Sequence, residues 1–218
     1  MIKTVIFDVD GTLLDTERIY MQSWVQAGAA RGYHIPQEAL LITRAVNAAQ
    51  AKACFQSYCG DNFPYDALRI DRSVISEELI SKASPAQLLK PHVHQALQWL
   101  KDQGCILAAG SSTDYKKTVA HLEHAGLLSY FSVIVCGDMV EHGKPAPDIF
   151  LKCAALSGHG PEDCLVVGDS PADVLSANAG KIPVILIPDQ VPANEQTTAL
   201  SLRVLEDLGQ LITFMQTV

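Results

Sequence analysis

Basic residues are scarce in this chain. Only 16 Lys and Arg stand against 24 Asp and Glu, for a formal net charge of -8. That balance repels nucleic acid and anionic lipid, so neither is expected as a partner. Long hydrophobic runs are missing too. The apolar opening is cut by Asp8, so no signal peptide is evident, and no stretch reads as a transmembrane span. The six cysteines, at 54, 59, 105, 136, 153 and 164, show no CxxC pairing. Several fall inside apolar runs, which predicts reduced, buried thiols in a cytoplasmic protein rather than a disulfide or zinc framework. The histidines are scattered; His121 and His124 share a helix face that reads as solvated. Repeats and low-complexity stretches are absent. What remains is 218 residues, 48% hydrophobic and 18% charged, enough to bury a sizeable core in a soluble globular enzyme. A monomer is expected.

Four short stretches carry chemistry: Asp8-Val-Asp10-Gly11-Thr12, Ser111-Ser112, Lys144-Pro-Ala-Pro147, and Gly168-Asp169-Ser170-Pro-Ala-Asp173. The first, second and fourth each follow an apolar β-type run, at Thr4–Phe7, Ile106–Ala109 and Cys164–Val167. In an open parallel sheet, ligands collect outside the carboxyl ends of the strands. Four signals therefore fall at one edge.

The residue types there suit phosphoryl transfer. Asp8 and Asp10 are two apart, so they point to the same side wherever the strand is still extended. A hard cation such as Mg2+ would bridge carboxylates to phosphate oxygens and offset their mutual repulsion. One aspartate can then attack phosphorus to form an aspartyl-phosphate. The other is placed to protonate the leaving oxygen and later to activate water. Lys144 can neutralise charge on the nucleophile and the phosphoryl group, and Ser111 can hold a phosphate oxygen. Asp169 supplies a further carboxylate for the metal.

On these motifs the chain resembles haloacid-dehalogenase-superfamily phosphohydrolases, of the kind related to phosphoglycolate phosphatase and β-phosphoglucomutase. The resemblance runs from Val5 to about Pro188 and is weakest between Ile35 and Ser84. It implies Asp8 as nucleophile and Asp10 as general acid/base, with Lys144 as the motif lysine. It implies phosphate binding by Gly11, Ser111, Ser112 and Lys144, and a Mg2+ site from Asp8, Asp10, Asp169 and Asp173. Ser111 is taken as the motif hydroxyl because its distances from Gly104 and Phe131 fit the phosphoglycolate-phosphatase type without a gap. Gly110 lies where some relatives place the hydroxyl, and Ser112 is then the substitute. The implied activity is hydrolysis of a small phosphorylated metabolite; the alternative is a phosphomutase of the β-phosphoglucomutase type. That mutase pattern has a histidine where this chain has Tyr20. It also has an arginine for the second phosphate where the ungapped match is Asn47, with Arg44 nearby.

Taken singly, each signal has a plainer reading. Asp10-Gly11 is a hairpin turn signal. Ser170-Pro171 with Asp173 is a helix start with a cap. Lys144 alone is a surface lysine, and Ser111 alone a loop hydroxyl. Their joint occurrence reverses the odds. Two lookalikes fail on spacing: Gly137–Lys144 has a spacer too many for a P-loop, with Pro145 in place of its Ser/Thr. Asp8–Gly11 lacks the further acid or amide before the glycine and the later glutamate of a calcium loop.

The expected fold class is α/β, a doubly wound parallel sheet with an inserted α-helical cap. Helix stripes are expected at 91–103, at Tyr115, Val119 and Leu122, from Pro147 to Leu156, and over 171–179. Strands are expected at Cys105–Ala109, Ser132–Cys136, 164–168 and Val184–Ile187. The tail from Ala199 carries a helical stripe at Leu208, Leu211 and Ile212. The insert reads as helices at Thr16–Arg31, Ala39–Tyr58 and Ser73–Lys82. The expected division is a core of 1–15 with 84–218 and a cap of 16–83, with hinges near Asp15 and Ala83–Pro85. A cap that closes would exclude bulk water and present specificity residues to the leaving group.

Overall fold

A computed structural model describes residues 2–43 and 48–217 of the chain. Its elements run β1 (Thr4–Phe7), α1 (Thr16–Ala30), α2 (Gln37–Thr43), α3 (Ala48–Cys59), α4 (Tyr65–Lys82), α5 (Pro85–Leu88), α6 (Val93–Asp102), β2 (Ile106–Ser111) and α7 (Tyr115–His124). The chain continues through β3 (Val133–Cys136), α8 (Asp148–Leu156), β4 (Cys164–Gly168), α9 (Pro171–Ala179), β5 (Val184–Leu186), α10 (Glu195–Leu200), β6 (Arg203–Val204) and α11 (Leu208–Met215). By contacts the chain divides into two compact units, Met1–Asp15 with Pro85–Val218, and Thr16–Ser84. Among the described residues, no helix is long and apolar enough to cross a membrane.

All six strands form one parallel sheet in the order β3-β2-β1-β4-β5-β6. Strands buried on both faces have no need of alternation, which is why β1 and β4 are nearly unbroken apolar runs. Their pleat sorts side chains between two layers. Val5 and Phe7 pack with α6 and α11 through Leu97, Leu100 and Leu211. Ile6 packs on the other face with α8 and α9 through Phe150, Cys153 and Val174. Chain order reverses at β1, so the crevice beside its carboxyl end is the topological switch point. Register lines up the flanking strands: Phe7 stands opposite Ala109 and Val167, so the residues just beyond all three arrive together.

Several boundaries differ from the sequence reading. Strand β2 extends to Ser111 rather than stopping at Ala109. A Cβ on Gly110 would lie 3.0 Å from the Phe150 ring, so the glycine lets α8 close on a strand that continues past it. The helix expected from Ser73 begins at Tyr65, because Tyr65 and Leu68 supply buried packing that outweighs the local cap signal of Ser73. The stretch Ala39–Tyr58 appears as α2 and α3, with residues 44–47 outside the described set. His121 is 3% exposed, so the α7 face that carries it with Thr118 and Leu122 is buried rather than solvated. Strand β6 and helix α10 were not legible; β6 is a two-residue exposed edge. Cys136, Cys153 and Cys164 are free and buried. Burial pushes their thiols up to about 11, 12 and 11 respectively.

The helical unit has its own core. Trp24, Phe55, Phe63 and Tyr65 cluster there, with the Phe55 and Phe63 rings stacked at 5.4 Å. In the sheet unit, Asp15 N–H donates to the Leu88 carbonyl at 2.7 Å and Leu14 bridges Leu89, pairing the outgoing and returning chain.

His92 caps α6 with φ at 64°, a left-handed conformation that costs a side chain strain. Replacing it by glycine removes that strain and the exposed 3.7 Å contact with Asp207. His92→Gly is expected to raise stability by about 0.5–1 kcal/mol. Urea unfolding checks this through a higher midpoint at unchanged slope; a lower midpoint contradicts it.

Candidate active site

Asp8 is the first residue past β1, tied to the sheet by its N–H donating to Val167 carbonyl at 2.8 Å. The chain then turns tightly. Leu13 and Leu14 N–H both donate to Val9 carbonyl, at 3.0 and 2.9 Å, and Gly11 N–H donates to Leu14 carbonyl at 2.7 Å. Gly11 has φ at 97°, and a Cβ there would stand 2.5 Å from Asp169 Oδ2. Its N–H is engaged by Leu14, and the missing side chain leaves space for Asp169. Among the described residues no hairpin forms at Asp10-Gly11, and β1 pairs with parallel neighbours on both sides.

Lys144 arrives from the segment before α8, and its side chain is only 3% exposed. Its Nζ donates to Asp8 Oδ1 at 2.5 Å and to Gly110 carbonyl at 2.8 Å, and pairs with Asp173 Oδ1 at 2.7 Å. It also stands 4.5 Å from the Phe150 ring centroid. Asp173 serves two structures at once. Its Oδ2 accepts from Ser170 N–H at 3.1 Å and from Ser170 Oγ at 2.6 Å, closing a capping box on α9. Its other oxygen faces Lys144.

Ligand atoms of Asp8, Asp169 and Asp173 lie within 4.8 Å of one another, and all three residues are buried. Thr12 Oγ1 donates to Asp169 Oδ1 at 3.1 Å. Asp10, expected as a fourth acid of this group, has its carboxylate elsewhere: Oδ2 accepts from Thr113 Oγ1 at 2.9 Å and Ser111 Oγ at 3.3 Å. Ser111 is buried at the end of β2, whereas Ser112 is exposed.

The electrostatics are one-sided. Burial is the main cause that holds the Asp8 carboxyl well above the usual carboxylate range; Lys144 draws it down, while Asp173 and Asp10 add to the rise. Burial alone would lower Lys144, but Asp173 and Asp8 more than reverse this and hold its proton tightly. Asp8 and Asp173 share the Lys144 ammonium, and Asp169 stands beside them. A buried cluster of hard oxygen donors is the chemistry that suits a divalent cation.

Three contributors had no role in the sequence reading: Thr12, which it named only as part of the first motif, Thr113, and the Gly110 carbonyl. For Thr113 a signal existed. It stands two residues after Ser111, so an extended strand end points both hydroxyls the same way. The carbonyl could be found only from the position of Lys144.

A doubly wound parallel sheet with buried aspartates and a lysine at its switch point defines an α/β enzyme core. The chain belongs to the haloacid dehalogenase-like hydrolases, whose family model matches residues 2–181. It is 30% identical over 179 residues to the fructose-1-phosphate phosphatase of Escherichia coli (strain K12), covering 80% of this chain and 90% of that one. It is 31% identical over 188 residues to the phosphorylated carbohydrates phosphatase of Thermotoga maritima, covering 83% and 82%. Among solved structures, β-phosphoglucomutase of Clostridium difficile superposes with a TM-score of 0.81 over 100% of this chain and 96% of that one. At 19% identity this last likeness speaks for the fold alone.

Proposed function

We propose that the protein is a Mg2+-dependent phosphatase that releases phosphate from a small phosphorylated metabolite, through an aspartyl-phosphate on Asp8. The observation that carries this reading is the buried ammonium of Lys144, bridged between Asp8 and Asp173 beside Asp169. Such a group holds a carboxylate aimed at the strand edge and matches the negative charge of an arriving phosphoryl group.

Asp8 attacks phosphorus as the bond to the leaving oxygen breaks, and Asp10 gives its proton to that oxygen. Water then attacks the phosphorus of the aspartyl-phosphate, passes a proton to Asp10, and Asp8 is released as a carboxylate. Ser111 donates to a phosphoryl oxygen throughout. Asp173 acts through Lys144, since both of its oxygens already face protein donors. Asp8 and Asp169, with Asp173 beside them, would hold Mg2+, which would supply charge that keeps Asp8 ionised and offsets the phosphoryl group. The helical unit Thr16–Ser84 is read as a cap that selects the leaving group, and the two phosphatase relatives favour a phosphorylated sugar. A panel of sugar phosphates should show phosphate release that stops with a chelator and returns with Mg2+.

The same machinery would serve a mutase, which must also grip a second phosphate. Tyr20 stands where the mutase pattern has histidine, with the Arg72 guanidinium 4.4 Å above its ring. Asn47 and Arg44 lie outside the described residues. Asparagine lacks the fork that grips phosphate, so water is expected to accept the phosphoryl group. Incubation with β-glucose 1-phosphate and a trace of glucose 1,6-bisphosphate tests this. Free phosphate should dominate; glucose 6-phosphate forming much faster would make the protein a mutase.

A further inference from the structure

Three hydrogen bonds form a closed ring beside Asp8. Thr113 N–H donates to Ser111 Oγ at 3.0 Å, Ser111 Oγ donates to Asp10 Oδ2 at 3.3 Å, and Thr113 Oγ1 donates to the same Oδ2 at 2.9 Å. From this ring we infer that Thr113 is a positioning residue, the donor that keeps Asp10 oriented for proton transfer while Ser111 serves the phosphoryl group. The inference rests on the reading of Asp10 as general acid/base.

The protons available decide which residue does what. A serine hydroxyl has one to donate. When Ser111 turns it toward a phosphoryl oxygen, its bond to Asp10, already the longer of the two, is lost. Its lone pairs still accept from Thr113 N–H, so Ser111 itself stays in place. Thr113 Oγ1 is then the remaining hydroxyl of the ring on Oδ2. Rotation of the carboxyl about Cβ–Cγ would break the Thr113 bond. The division of labour follows: Ser111 acts on the phosphoryl group and Thr113 acts through Asp10.

The two roles leave different kinetic signatures. Thr113→Val keeps the β-branched shape and deletes the donor. kcat/KM reports events up to formation of the aspartyl-phosphate, the step in which Asp10 protonates the leaving group. For an alkyl phosphate such as glycerol 3-phosphate, Thr113→Val is expected to lower kcat/KM by about 10–100-fold. For p-nitrophenyl phosphate, whose leaving group needs little protonation, the loss should be under about 3-fold. Thr113→Ser restores the donor and should recover most of the alkyl-phosphate rate. Ser111→Ala should lower both substrates alike. An unfolded Thr113→Val would show in its melting curve, and Thr113→Ser against Thr113→Ala then makes the same comparison.

Asp10→Asn, run in parallel, separates the two ways of failing. If it is selective for the alkyl phosphate while Thr113→Val lowers both substrates equally, Thr113 contacts the phosphoryl group and the inference is overturned. If Asp10→Asn itself lowers both equally, the assignment of Asp10 falls, and the inference with it.

Discussion

Asp8→Asn is expected to abolish turnover, by ~10⁴-fold or more, while leaving the fold intact. The amide cannot attack phosphorus and is a poor cation ligand. The fold should survive because burial already disfavours charge at this position. Lys144 also retains the Gly110 carbonyl and Asp173. The sign of the pH dependence follows from the raised Asp8 carboxyl. A folded-state proton affinity above the unfolded one favours folding at low pH and is lost as pH rises through the folded value. In chelator, the melting temperature of Asp8→Asn relative to wild type should therefore climb as pH rises. With Mg2+ added the order reverses, since wild type alone gains from the cation. Wild-type turnover in Asp8→Asn would remove the nucleophile assignment. An unchanged Mg2+ shift in that variant would remove Asp8 from the cation site.

Lys144→Met carries the second large effect, and it falls on stability as well as rate. The ammonium is the shared cation of two buried carboxylates and a strand-end carbonyl, with its side chain 3% exposed. Deleting one partner of a buried pair leaves uncompensated charge, at a cost of about 3–5 kcal/mol. Losing a donor to the phosphoryl group should lower kcat by ~10²–10³-fold. Urea unfolding in chelator measures the first effect, and Mg2+ should return part of the lost stability by offsetting the same carboxylates. Lys144→Arg should not restore activity, because a planar fork cannot occupy the place of a point charge among three acceptors. Stability within about 0.5 kcal/mol of wild type, the range of an ordinary surface substitution, would show that the pairs at Lys144 contribute little.

The strands were legible where burial on both faces left a continuous apolar signature, as in Thr4–Phe7 and Cys164–Gly168. Legibility failed where the signal was short or local. Arg203–Val204 becomes a strand only because β5 offers it an edge. Ser73 looks like a cap, yet α4 runs past it because Tyr65 and Leu68 find an apolar core. Asp173 was legible as either a cap or a site residue; in the structure it closes the capping box on α9 while its other oxygen faces Lys144.

By itself the sequence determined the inventory: which acids, hydroxyls and lysine follow which strands, and that a parallel sheet would carry them to one edge. That much is local, since strand ends and residue types are written in consecutive positions. Tertiary structure alone decided the partnerships. Lys144 reaches Asp8 across 136 positions of sequence, and Thr113 reaches Asp10 across 103. Those distances collapse only because the order β3-β2-β1-β4 sets β2 and β4 on either side of β1, in a register that aligns their ends. Which oxygen each donor meets is then a matter of side-chain geometry within an ångström, and no pattern of residue types along the chain encodes that.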